Sequence, residues 1–262
     1  MRVTGISLRI GCVKYLNARP LIAGWGKGDL TLDHPAILCR KLARQELDVA
    51  LVSSVEYLRN PIYKIVDDVS ISSDGPVYSV VVASRGELSQ IEQIEIDPAS
   101  ETSVALLRCL LARRGWKAQL VEGGASGTRP TDQLVSAKLL IGDQAIRFRD
   151  SHPEYNFWDL GQEWRDDANL PFVYALWLVR PEVSEAKSIA RQLRAVRDEN
   201  QGRIGELIAQ EKEFEPEFCR RYYRDNLRFS FGQREKQGLS TFAAACAKQD
   251  LIPKRPLEFD LV

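Results

Sequence analysis

Leu47-Asp48-Val49-Ala50-Leu51-Val52 runs without a break into Ser53-Ser54-Val55-Glu56-Tyr57-Leu58. The first six residues, apolar except for Asp48, read as a short buried strand. Ser53 and Glu56 follow with the spacing of a capping box, which predicts that a helix starts at once. A strand that turns directly into a helix is half of a βα unit, and such units build parallel sheets flanked by helices.

The pattern repeats on both sides. Residues 7–13 are apolar at alternate positions and lead into Asn17 and Pro20, which reads as strand, turn and helix. A second helix is predicted from Pro35, with Leu38 and Leu42 one turn apart. Downstream, the turn signal Ser73-Asp74-Gly75-Pro76 introduces the β-rich stretch 77–83, and the composition turns polar near Ser84. A second series then begins: a strand over 93–97, a helix over 102–114 with Val104, Leu107 and Leu111 on one stripe, and strands over 118–121 and 138–141. Residues 170–179 read as a long buried strand that Arg180-Pro181 ends. Beyond Ser184 the chain is predicted helical, with an interruption at Gly202 and a last amphipathic helix carrying Leu239, Phe242, Ala243 and Cys246. Gly123-Gly124-Ala125-Ser126-Gly127-Thr128 lacks the Gly-Lys-Ser/Thr ending of a phosphate-cradling loop and reads as a flexible connection.

These elements predict an α/β chain of two lobes, hinged about a cleft. Residues 1–84 with 181–262 are assigned to one lobe and 85–180 to the other. In open α/β sheets a ligand sits outside the carboxyl ends of the strands, so the strand-to-helix turns are where the site is expected.

Composition narrows the function. Lys+Arg and Asp+Glu both total 36, so no net field draws the chain to nucleic acid or acidic membranes. No stretch approaches the roughly 20 apolar residues of a membrane helix, and no apolar secretory core precedes Arg9. The five cysteines are scattered, with no CxxC pair, which disfavours disulfides and zinc and fits a reducing cytoplasm.

Four polar turns lie at predicted strand ends: Asn17; Ser53 with Ser54; Ser100 with Thr102 and Ser103; and Gly142 with Asp143. Each residue is also an ordinary helix cap. Together, from two facing lobes, they would offer neutral donors and helix starts to a carboxylate. Asp143 would repel an anion, so it either accepts a ligand hydroxyl or caps its helix. The two histidines, His34 and His152, both precede proline and read as exposed turn residues rather than acid or base. HExxH, GxSxG and GxGxxG are all absent.

The segments Tyr15-Leu16-Asn17-Ala18-Arg19-Pro20-Leu21, Asp48 through Tyr57, Asp74-Gly75-Pro76-Val77-Tyr78-Ser79, Thr102-Ser103-Val104, Leu140-Ile141-Gly142-Asp143, Asp159-Leu160-Gly161-Gln162-Glu163-Trp164 and Leu170-Pro171-Phe172 carry a resemblance. In order and spacing the chain resembles the chorismate dehydratases of the futalosine route to menaquinone, which have the type II periplasmic-binding-protein fold. The resemblance implies a lyase that dehydrates chorismate to 3-[(1-carboxyvinyl)oxy]benzoate, with no cofactor, metal or obligate protein partner. By it, Asn17 and Ser79 would be catalytic, Thr102 and Ser103 would bind a carboxylate, and Ser54 would be a further candidate; Ser100, Gly142 and Asp143, read from the strand-end turns, complete the expected substrate site. Tyr78 stands where that family tends to be small, and Asn169 stands before Leu170-Pro171 where Thr-Gly is expected; either would reshape the pocket. Two other readings stay open: the sister enzyme that makes 1,4-dihydroxy-6-naphthoate, and a non-catalytic small-anion-binding protein.

Overall fold

The computed structural model of the chain describes residues 8–26, 30–97, 100–123 and 137–262. The first sheet begins with β1 (Ile10–Val13), which leads through a 3₁₀ turn at Leu16–Ala18 into the short helix α1 (Arg19–Ile22). Next come β2 (Leu30–Asp33), α2 (Pro35–Ala43), β3 (Val49–Ser53), α3 (Ser54–Arg59) and β4 (Lys64–Ser73). Proline suits the first position of α2, where no helical partner awaits an amide hydrogen. Because β1 pairs in parallel with both β2 and β3, residues 47–58 do form the βα unit their pattern predicts. The capping box does not form: Ser53 makes no side-chain cap bond, and the Glu56 carboxylate accepts instead from Asn60 and Tyr63.

The chain then crosses to a second sheet with β5 (Val80–Ser84) and β6 (Gln93–Ile96). It continues through α4 (Glu101–Arg114), β7 (Gln119–Glu122), β8 (Ala137–Ile141), α5 (Gly142–Ser151), β9 (Asn156–Asp159) and α6 (Leu160–Ala168). β10 (Phe172–Val179) returns to the first sheet. The strand orders are β2-β1-β3-β10-β4 and β7-β6-β8-β5-β9. In each sheet four strands run one way, and the single opposing strand comes from the chain that has just crossed over.

That exchange moves both boundaries drawn from the sequence. Residues 80–84 pair within the second sheet and 172–179 within the first, whereas divisions at 84 and 180 put each strand in the other lobe. An apolar run reveals that a strand is buried but not which sheet buries it. The glycine-rich connection lies outside the described residues from Gly124 onward.

One carboxylate joins the two crossings. Asp159 accepts from the backbone amides of Val77 (3.0 Å) and Tyr78 (2.7 Å) on the outward crossing, and caps α6 on the return crossing through Gly161 (3.0 Å) and Gln162 (3.1 Å). The crossings touch so closely that a Cβ on Gly161 would lie 2.7 Å from the carbonyl oxygen of Gly75.

The remaining helices are α7 (Ala186–Gly202), α8 (Ile204–Gln210), α9 (Pro216–Arg221) and α10 (Gln233–Lys248), with a π-helical turn at Tyr222–Asn226. The break expected at Gly202 separates α7 from α8. α7 packs on α1 and β4, while α10 packs on both β10 and α4, so the last helix touches each lobe. All five cysteines are free and buried; Cys109 and Cys246 face each other with sulfurs 3.8 Å apart, as core thiols. Among the described residues no helix is long and apolar enough to cross a membrane.

Candidate active site

The carboxyl ends of β1, β3, β6 and β8 converge on one cleft, as the topology rule requires. Its empty space totals about 630 Å³, part of it open to solvent. Six of the eight residues expected from the sequence line it: Asn17 and Ser79, then Ser100, Thr102 and Ser103, and Gly142. Among the described lining residues only Glu101 is charged, and its carboxylate pairs with Arg59 of α3 across the lobes. The walls are otherwise apolar or neutral.

Asn17 sits in the 3₁₀ turn after β1. Among the described residues its Oδ1 is buried without a partner, as is the hydroxyl of Ser100 at the start of α4. Buried polar atoms are normally paired, so these two point to a polar ligand in the cleft. The turn itself is clamped: the amide of Leu16 donates to Asp143 (2.8 Å) and the carbonyl of Leu16 accepts from the Tyr223 hydroxyl (3.0 Å). Ser79, 1% exposed, ends the outward crossing; its carbonyl accepts from the amide of Gly142 (2.8 Å) and its hydroxyl accepts from that of Tyr222 (2.7 Å).

Helix α4 aims its N-terminus at the same space. No side chain caps it, so its positive end faces the cleft with Thr102 and Ser103 in the first turn. The Thr102 hydroxyl meets that of Ser53 from the other lobe and also accepts from the amide of Val55 (3.3 Å). Thus the Ser53 side chain, which spacing assigns to a capping box, serves the lobe contact instead. Tyr15 and Tyr174 complete the wall; burial, with the nearby Asp97 and Asp143, pushes the Tyr15 phenol up to about 12, so near neutral pH it stays protonated. Neither tyrosine, nor Ser53, was distinguishable in sequence from a core residue or a cap.

Two expected site residues lie outside the lining. Ser54 turns its hydroxyl to the carbonyl of Val173 (2.8 Å), because a fully buried hydroxyl on α3 finds β10 before it finds the cleft. Asp143 neither caps α5 nor faces the cleft. Its carboxylate reaches across to Leu16, and burial raises its pKa above the usual carboxylate value despite that bond. Nor do the two departures from the resembled family narrow the cleft. Tyr78 (φ 66°) packs its ring under the Arg149 guanidinium, 4.0 Å away, and against Phe218, while Asn169 (φ 54°) ends α6 beside Arg165. Both occupy left-handed backbone, where small residues or glycine are at ease and asparagine is tolerated. The histidines are half-buried rather than exposed, and neither lines the cleft: His34 lies 3.6 Å from Asp97, and His152 stacks on Phe148.

Comparison with known proteins bears on the assignment. A family model described as menaquinone biosynthesis matches residues 8–248. The chain is 31% identical to a chorismate dehydratase of Thermus thermophilus, over 90% of this chain and 94% of that one. Among solved structures, a protein from Archaeoglobus fulgidus aligns with TM-score 0.70 at 18% identity, covering 94% of this chain and 98% of that one. A Candida albicans protein described as having the generic periplasmic binding protein fold aligns with TM-score 0.62 at 12% identity, covering 95% and 92%. With two exchanged-strand sheets meeting at a donor-lined cleft, the chain belongs to the menaquinone biosynthesis family and carries it on the periplasmic-binding-protein fold.

Proposed function

We propose that this cleft dehydrates chorismate to 3-[(1-carboxyvinyl)oxy]benzoate, as a step of the futalosine route to menaquinone in the cytoplasm. The observation that carries the reading is the meeting of Asn17, Ser79 and the start of α4 in one cleft whose lining, among the described residues, includes no cation. Chorismate carries two carboxylates. The ring carboxylate is assigned to the first turn of α4, where helix amides and the Thr102 and Ser103 hydroxyls supply donors. The enolpyruvyl carboxylate is assigned to Asn17 and Ser79.

The reaction needs a base. Glu101 is engaged by Arg59, Asp143 by Leu16, and no histidine lines the cleft, which supports the enolpyruvyl carboxylate of the substrate as the group that takes the ring proton beside its own ether. The electron pair left on the ring is conjugated with the ring carboxylate. Donors fixed on that carboxylate stabilise the charge as it develops, without reorganising. The neighbouring carbon–oxygen bond then breaks, hydroxide leaves as water with the proton, and the ring becomes aromatic.

Purified protein incubated with chorismate should convert it to an aromatic product lighter by one water, followed by ultraviolet absorbance and mass. Asn17→Ala should slow this by roughly a hundredfold, the loss of an oriented polar contact to developing charge. Unchanged chorismate in the presence of folded wild-type protein would refute the assignment.

A further inference from the structure

Ser79 has one hydroxyl proton, and where that proton points decides what Ser79 can do. Its oxygen is 2.7 Å from the hydroxyl of Tyr222, which donates to it. Tyr222 is 0% exposed and stacks on Phe218 with ring centroids 5.4 Å apart, so its phenol is held in place. Burial also drives the acidity of that phenol far down, keeping the proton on Tyr222. Ser79 therefore receives from behind. No other hydrogen bond to its hydroxyl is present among the described residues, and the face it presents to the cleft is the only direction left for its own proton.

Tyr223, the next residue, steadies the backbone turn that carries Asn17. Its hydroxyl holds the carbonyl of Leu16 at 3.0 Å, opposite the Asp143 carboxylate on the Leu16 amide. Both tyrosines open the π-helical turn at Tyr222–Asn226. Such wide turns are uncommon and recur at functional sites. This one lets two consecutive side chains brace the outward crossing and the β1 turn together.

On the basis of the proposed dehydration, we infer that Tyr222 is a positioning residue: it fixes Ser79 as a hydrogen-bond donor toward the substrate, and with Tyr223 it makes the C-terminal π turn part of the active-site support. A donor that itself accepts a hydrogen bond is polarised, so the same contact strengthens Ser79 against negative charge.

The test is steady-state kinetics with chorismate on Tyr222→Phe, Ser79→Ala and the double variant. Tyr222→Phe keeps the ring and its packing and removes only the donor. It should lower kcat by roughly tenfold, the weight of one hydrogen bond, with little change in KM. In the Ser79→Ala background the same substitution should change kcat by less than about twofold, because the partner is already gone. Tyr57→Phe is the control for loss of a buried tyrosine hydroxyl as such: Tyr57 donates to the Glu258 carbonyl (2.7 Å), away from the cleft, and its variant should leave kcat unchanged. A wild-type kcat in Tyr222→Phe overturns the inference, and so does a tenfold fall that persists without Ser79. Inactive wild-type protein would instead refute the dehydratase reading and take the inference with it.

Discussion

Replacing Asp159 with alanine should loosen both crossings at once. Four backbone amides lose their acceptor: Val77 and Tyr78 on the outward crossing, Gly161 and Gln162 at the start of α6. Loss of the helix cap costs about 1 kcal/mol. A buried amide left unpaired costs about 1–3 kcal/mol, and since the Asp159 side chain is 13% exposed, water reaches part of the space and the low end applies to Val77 and to Tyr78. The whole comes to about 3 kcal/mol, a fall of roughly 6–12 °C in Tm for a chain of this size. Tyr78 adds direction to the effect. At φ 66° it holds a left-handed conformation that disfavours a residue bearing Cβ by about 1–2 kcal/mol, and the Asp159 carboxylate on its amide holds it there. Ser79 is the next residue, so turnover should fall along with stability. Calorimetry near neutral pH with parallel chorismate assays measures both. Asp159→Asn keeps an oxygen for some of these amides but turns one N–H toward another donor, and should fall between alanine and wild type. An alanine variant melting within about 2 °C of wild type, a shift worth less than about 1 kcal/mol, would refute the idea that one carboxylate fastens the hinge.

Asp143→Asn should keep turnover within roughly tenfold of wild type, since general base catalysis is worth far more than that. Because burial raises the folded pKa of Asp143 above its ordinary 3.8, the folded state binds the proton more readily; its stability falls as pH rises through that window and stays reduced above it. The asparagine variant should therefore match or exceed wild-type stability near neutral pH, with the gain shrinking in acid, as thermal melts across pH would show. Gly142→Ala should cost about 1–2 kcal/mol and raise KM, because Gly142 has φ 55° and a Cβ there would lie 3.1–3.2 Å from the Tyr15 ring; wild-type melting and kinetics would contradict it. Raising salt from about 0.05 to 0.5 M should weaken the lobe-to-lobe pairs Arg59–Glu101 and Arg147–Glu213 and enlarge the radius of gyration of the free protein in X-ray scattering; each pair being worth under about 1 kcal/mol, the change should be small and graded.

Much of this was legible in the chain itself, and the misses have common causes. Alternating apolarity placed β1, Pro35 opened α2, and Gly202 broke the C-terminal run, because each is a local signal. The crossings were not legible: residues 80–84 and 172–179 announce burial, while their sheet is decided by pairing with distant strands. β4 escaped notice because Asp67-Asp68 interrupts its pattern, with Asp68 at φ 64° where the strand is irregular. In the site, Asn17 and Thr102 stood at readable strand ends and Ser79 was reached only through the family resemblance, yet Ser53 looked like a cap, and Tyr174 like core. Tyr222 acts across 143 positions of sequence, a distance over which periodicity carries no information.

A crystal structure of Ser79→Ala with chorismate bound tests the central claim most directly. The substrate should lie between the lobes, with one carboxylate at the amides of Thr102 and Ser103, the other beside Asn17, and no arginine or lysine in contact with either. Chorismate lodged outside the cleft, or held there by a basic side chain, would contradict the account.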